Sequence, residues 1–281
     1  MLFTGSNEIA RRIAQSLAGR VDAQGRPPTL IAETGGQNAM IVDSSALAEQ
    51  VVADVVASAF DSTGQRCSAL RVLCVQEDVA ERILAMLRGA MRELRMGPTQ
   101  ALATDVGPVI DSEAREAIER HVETMRTTGR RVDRLAQNGA GDALAHGVFV
   151  VPALIELESI AELTREVFGP VLHVLRYRRD ELPSIVDAVN ATGYGLTLGI
   201  HSRIDETIDF VAARARAGNV YVNRNMIGAV VGVQPFGGEG LSGTGPKAGG
   251  PHYLSRFAVE RTYTVNTTAA GGNAALLASG T

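Results

Sequence analysis

Apolar residues recur along this chain in two textures, short continuous runs and longer stretches spaced by three or four, and their alternation sets out the elements. Ile9, Ile13 and Leu17 keep helical spacing behind Ser6, a possible N-cap. Pro27-Pro28 breaks the chain, and residues 29–32 form a short apolar run that predicts a strand ending at Glu33. Further strands are predicted over 39–42, 70–75, 148–155, 171–177, 196–201 and 218–223. Helices are predicted over 46–60, 78–94, 112–127 and 206–217, with another around 185–189. Strands alternating with helices argue for an α/β fold on a mainly parallel sheet. Phe3-Thr4-Gly5-Ser6 reads as the tail of a buried strand turning into a helix. A fold rarely starts there, so the expectation is the C-terminal part of something longer.

After Asn223 the texture changes. Residues 228–251 are rich in glycine, which suggests backbone brought close to a ligand. Residues 265–277 are small and polar, with too little bulk to pack alone. No internal repeat is present.

Composition narrows the class. The chain has 281 residues, 45% of them hydrophobic, enough for a sizeable core. A net charge of −4 with interspersed signs points to no nucleic-acid or membrane-surface partner. The first residues lack the basic and apolar regions of a signal peptide, and no apolar run approaches a membrane span. Cys67 and Cys74 are the two cysteines, so no disulfide framework is implied and a reducing cytoplasm is expected.

The chemistry centres on Cys67 and Glu33. Cys74, inside Val72-Leu73-Cys74-Val75, reads as a small buried hydrophobe. Cys67 follows the turn Gly64-Gln65-Arg66, and Arg66 would favour the thiolate if its head group turned to the sulfur. Local chemistry alone leaves Cys67 open between a reactive thiol and a packed one. Glu33 is read as lying at a carboxyl end of the sheet, where open α/β sheets bind ligands and where burial raises a carboxyl towards a general base. Together a thiol and a carboxylate supply both halves of a covalent acyl-enzyme cycle. Gly5-Ser6 opens a helix whose free N–H groups suit a phosphate. Gly238-Glu239-Gly240-Leu241-Ser242-Gly243 matches G-x-G-x-x-G, but Pro235 precedes it and Gly245-Pro246 follows, so it is read as a loop lining a site and not as a dinucleotide fingerprint. His121, His146, His173, His201 and His252 show no metal spacing, and no metal is expected.

Five motifs in order then carry a resemblance: Phe3-Thr4-Gly5-Ser6, Glu33-Thr34-Gly35-Gly36, Gly64-Gln65-Arg66-Cys67, Glu166-Val167-Phe168-Gly169-Pro170, and Pro235-Phe236-Gly237-Gly238 with Ser242-Gly243. Their order and spacing strongly resemble the aldehyde dehydrogenase superfamily. Arg66-Cys67-Ser68-Ala69-Leu70-Arg71, Ile227-Gly228-Ala229 and the run 242–251 resemble its L-glutamate γ-semialdehyde (1-pyrroline-5-carboxylate) branch. The ending 260–273 is similar to the C-terminus of bifunctional proline utilisation A proteins.

The resemblance implies roles. Cys67 forms the thiohemiacetal and thioester, and Glu33 activates water. NAD is the implied cofactor, with Gly5 and Ser6 at its pyrophosphate, Glu166 at the nicotinamide ribose and Phe168 beside the ring. Ser68, Gly228 and Ala229 would grip the substrate carboxylate, and Phe236 its aliphatic stem. Residues 1–33 would be a remnant of the cofactor-binding domain, 34–236 the catalytic domain, and 237–281 the continuing substrate loop, a return segment and a tail joining a homo-oligomer. The family's oxyanion-hole asparagine and a cofactor-binding lysine would fall before residue 1. The alternatives are another carboxylate-bearing semialdehyde dehydrogenase, a catalytically silent module, and a cysteine hydrolase.

Overall fold

The computed structural model describes residues 1–134, 147–266, 275, 278 and 279. β1 (Leu2–Thr4) and β2 (Ile31–Glu33) form a small parallel pair joined through α1 (Asn7–Ala18). Ser6 caps α1: its hydroxyl accepts from the Ile9 N–H at 3.4 Å. None of the α1 side chains is fully buried.

The main sheet has seven strands in the order β10 (Asn219–Val222), β9 (Thr197–His201), β3 (Ala39–Val42), β4 (Val72–Gln76), β7 (Val171–Tyr177), β6 (Ala153–Leu157) and β5 (Val132–Arg134). All neighbours run parallel except β5 against β6. Alternating side chains split the core into two layers. Ala39, Ile41, Val72 and Cys74 pack with α4 (Ser112–Thr127), α5 (Leu182–Ala191) and α6 (Asp205–Arg214). Met40, Val42, Leu73 and Val75 pack with α2 (Ala48–Phe60) and α3 (Glu77–Glu93). Helices cover both faces, which is why these strands read as unbroken apolar runs.

Most elements fall where periodicity puts them, and the departures have local causes. The strand expected over 148–155 begins only at Ala153, because Pro152 has no N–H to pair. The helix expected to reach 217 stops at Arg214, where Ala215 turns extended and Gly218 donates to Gly195 O at 3.0 Å. β5 was not foreseen: one valine gives no apolar pattern, and ion pairs flank it, Arg88–Asp133 at 2.6 Å and Arg134–Glu119 at 2.6 Å. β8 (Tyr194–Gly195) and β11 (Glu239–Gly240) pair antiparallel and are too short to show a period.

His121 lies on α4, His173 on β7 and His201 on β9, as expected, while His146 lies outside the described residues. Residues 258–266 are exposed and irregular, and most of the expected oligomerisation tail lies outside the described residues. Among the described residues no helix is long and apolar enough to cross a membrane.

Candidate active site

The candidate residues meet at the amino-terminal edge of the seven-stranded sheet. Cys67 precedes β4, Glu166 and Phe168 precede β7, and Glu33 ends β2 and leads into the approach to β3. The carboxyl-end placement of Glu33 therefore holds only for the small β1–β2 pair. Relative to the main sheet the site lies at the opposite edge, because the chain enters β3 from Glu33.

The Cys67 turn is built under strain. Ser62, Thr63 and Gly64 take φ of 54°, 59° and 65° in succession. Left-handed backbone at a non-glycine costs about 1–2 kcal/mol. Thr63 Oγ1 donates to Gly107 O at 3.1 Å, and Gln65 Nε2 to Pro108 O at 3.2 Å. Gly64 is doubly required, since a Cβ there would strike the carbonyl groups of Gly169 and Ala59. Asn38 holds the far side: Nδ2 donates to Cys67 O at 2.7 Å and Ala69 O at 2.8 Å, and Oδ1 accepts from Thr197 N at 3.1 Å. Arg71, fully buried, donates from Nη1 to Gly64 O (2.7 Å) and Gly169 O (3.2 Å) and from Nη2 to Arg66 O (3.1 Å) and Glu166 Oε1 (3.0 Å). Its guanidinium lies 5.3 Å from the Phe168 ring centre.

Burial pushes the Cys67 thiol above its ordinary value, and the charges of Glu166 and Glu33 push it further, against the N–H groups of Ser68 and Cys67 itself. The expected help from Arg66 is not realised. That side chain is exposed and donates to Ser62 Oγ at 2.9 Å. Cys74 is buried, as read from its apolar run, and burial pushes it to about 12.

Glu33 behaves as its position demands. Burial raises it to about 7, opposed by the Gly238 N–H and the Lys247 cation. Oε2 accepts from Gly238 N at 3.0 Å, while Oε1 is buried with no protein partner. Bare backbone closes round the carboxyl: a Cβ at Gly237 would sit 2.8 Å from Oε1, and one at Gly243 2.9 Å from Oε2. No helix opens in 238–243, which contains β11, so it is a loop lining the site. It is laced to β2 through Thr34 N to Ser242 O and Thr244 N to Ala32 O, both 2.9 Å.

Gly5 N donates to Glu33 O at 3.1 Å, so α1 opens beside the same strand end. An open cavity of about 150 Å³ lies along α1, lined by Asn7, Ala10, Arg11, Leu30 and Thr244 among others. On the other side, Ser58 joins two segments: its hydroxyl accepts from Met226 N at 3.1 Å and its carbonyl from Leu70 N at 2.9 Å. This ties the start of the Gly228-Ala229 loop to the Cys67 segment. Neither the Gly228 nor the Ala229 N–H donates to another described residue. Ser68 is buried, and Phe236 is half-buried and paired to Ala248 next to the Glu33 cage.

Residues 1–263 match the profile of the aldehyde dehydrogenase family. The chain belongs to that family. Bifunctional protein PutA of Salmonella typhimurium is 65% identical over 263 residues, 93% of this chain and 20% of the relative. The 1-pyrroline-5-carboxylate dehydrogenase of Geobacillus kaustophilus is 37% identical over 254 residues, 90% of this chain and 48% of the relative. Among solved family structures, a Bradyrhizobium japonicum Proline Utilization A mutant superposes with a TM-score of 0.89 at 57% identity, covering 96% of this chain and 27% of that one. A 1-pyrroline-5-carboxylate dehydrogenase from Thermus with bound NAD superposes at 0.82 and 32% identity, covering 91% and 48%. The chain thus spans between a fifth and a half of the relatives it matches.

Asn38, Ser58 and Arg71 had no role in the sequence reading. Their signal was a polar residue bordering or entering an apolar run, which shows that something must be satisfied but not what.

Proposed function

We propose that this chain carries the catalytic part of an NAD-dependent dehydrogenase that oxidises L-glutamate γ-semialdehyde to L-glutamate in proline breakdown. The observation that carries this reading is a half-buried thiol sharing a site with a carboxyl near neutrality that keeps one oxygen uncommitted. The names of the PutA and 1-pyrroline-5-carboxylate dehydrogenase relatives support the substrate.

Cys67 Sγ attacks the aldehyde carbon, and the thiol proton passes to Glu33, which is part ionised near pH 7. The Cys67 backbone N–H, already turned to the sulfur, is placed to donate to the aldehyde oxygen as it gains charge. When bound, NAD accepts the hydride whose loss leaves a thioester on Cys67. Glu33 releases the thiol proton to solvent and, ionised again, takes a proton from water through Oε1; the hydroxide adds to the thioester carbon, the C–S bond breaks, and Glu33 returns its proton to the sulfur as the carboxylate product leaves. The Gly228 and Ala229 N–H groups and the Ser68 hydroxyl hold the substrate carboxylate, and Phe236 packs on its methylenes.

This chain's residues fit the cofactor. The first turn of α1 behind Gly5 and Ser6 offers N–H groups to a pyrophosphate. The Glu166 carboxyl, partly open at its rim, offers acceptors to ribose hydroxyls, and the Phe168 ring is 43% exposed for stacking. We further assign residues 1–33 to the edge of a cofactor-binding unit, 34–236 to catalysis and 237–281 to loop closure and self-association. Two free thiols suit a reducing, cytoplasmic setting.

The test is NADH formation from L-glutamate γ-semialdehyde and succinic semialdehyde, with calorimetric NAD titration alongside. Cys67→Ala is expected to abolish turnover, and Glu33→Gln to slow it about 10²–10³-fold with thioester accumulating on Cys67. Preference for succinic semialdehyde would overturn the substrate, and absence of NAD binding would favour the silent module.

A further inference from the structure

We propose that Arg71 is a positioning residue, whose guanidinium locks the Cys67 turn to the 166–169 segment and thereby sets the reactivity of the thiol. The proposal deepens the dehydrogenase reading and rests on Cys67 being its nucleophile. Arg71 stands at the entry to β4 with no exposed surface, a costly place for a cation; both Nη atoms are fully engaged, while Nε is buried with no partner among the described residues. A cation needed only for charge balance would be served by one carboxylate. Three of the four acceptors of Arg71 are instead backbone carbonyls, of Gly64 and Arg66 on the strained turn and of Gly169 across the site. The fourth is Glu166, and the same planar group lies beside Phe168. One side chain therefore fixes the nucleophile's turn relative to the two residues assigned to the nicotinamide end. A lysine ammonium, a single point of charge, cannot span that set.

The backbone of Arg71 is pinned from behind without adding charge. Its carbonyl can only accept, so His173 Nδ1 (3.0 Å) carries a proton and donates. Burial pushes His173 down to about 3, so it stays neutral and its Nε2 accepts from His121 Nε2–H at 2.8 Å. The ionisable groups facing the guanidinium are then Glu166 and Cys67, with Glu33 acting on the thiol from the other side. Arg71 offsets the Glu166 charge that opposes the thiolate.

The test uses neither NAD nor aldehyde, so its outcome is independent of the dehydrogenase reading. Alkylation of Cys67 by iodoacetamide is followed by peptide mass from about pH 6 to 10 on the full chain, with buried Cys74 as a built-in report of unfolding. Arg71→Met is expected to slow Cys67 alkylation near neutral pH about tenfold, moving the profile up by about one pH unit with Cys74 still protected. Arg71→Lys is expected to recover only part of that loss. Glu166→Gln, with Arg71 in place, is expected to move the profile to lower pH. An arginine serving stability alone predicts a lower Tm and an unmoved Cys67 profile in both Arg71 variants, whereas Glu166→Gln reports only the direct effect of that charge on the thiol. Should Arg71→Met expose Cys74, Arg71→Lys decides, and an Arg71→Lys profile superimposing on the parent would overturn the proposal.

Discussion

Two side chains within one site are both pushed away from their charged forms, and water exclusion is the common cause. For Cys67 burial and the neighbouring carboxylates favour the thiol over the thiolate, which is why the proposed mechanism needs Glu33 as proton acceptor. For Glu33 burial means a carboxyl whose charge costs folding energy. Its folded value of about 7 lies above the 4.5 of an exposed glutamate, so the folded chain binds the proton more tightly. The stability it contributes is whole below about pH 4.5 and is lost as pH rises through about 7. Glu33→Gln removes that loss. The variant is expected to be more stable than the parent at about pH 8 by roughly 1–2 kcal/mol, a figure discounted for the water that still reaches the carboxyl, with the gap closing towards about pH 4. Urea unfolding at both pH values checks this, and a gap that does not change with pH would show that the carboxyl is not raised.

The elements are ordinary, and the site lies in what joins them. The loops before β3, β4, β7 and β9 converge on one sheet edge because those strands are parallel neighbours. Asn38 shows how one loop residue serves three connections: it bonds the Cys67 and Ala69 carbonyls and the Thr197 N–H. Asn38→Ala would leave three polar groups in or near the core without that partner. It is expected to destabilise the fold by about 2–4 kcal/mol and to slow Cys67 alkylation as the turn loosens. Thermal unfolding and thiol labelling of the same sample check both, and a Tm within experimental error of the parent would remove Asn38 from the account.

At the scale of the molecule, the two helical layers give the sheet a continuous interior in which Cys74 is sealed, while the edge that holds Cys67 stays open. The two thiols therefore report different events. Cys67 is expected to be alkylated in the native state, and Cys74 only with global unfolding, its labelling in urea tracking the loss of far-UV circular dichroism. Labelling of Cys74 as fast as Cys67 in native buffer would contradict a single cooperative core. The β1–β2 pair and α1 stand outside that core, with no fully buried residue in α1. They are expected to exchange amide protons well before the main sheet.

Much of this was legible in the residues themselves. Helical and strand periods depend on nearest neighbours along the chain, so α4 and β7 could be bounded to the residue, and Cys74 could be told from Cys67 by its apolar flanks. The Gly-x-Gly run 238–243 could be set aside because the prolines near it forbid a helix. Other features depend on contacts between segments far apart in sequence. β5 has too few apolar residues to announce itself and exists because β6 offers an edge. Arg66 looked like the cation beside the sulfur, yet the turn sends it to Ser62 and leaves that part of the site to Arg71. The sequence by itself singled out the candidate thiol and carboxyl and determined which strands are buried, because side-chain type and spacing are local properties. Only the tertiary structure decided which sheet edge holds the site, which charges the thiol feels and which oxygen of Glu33 remains uncommitted, because desolvation and hydrogen bonding are set by groups that the chain brings together from a distance.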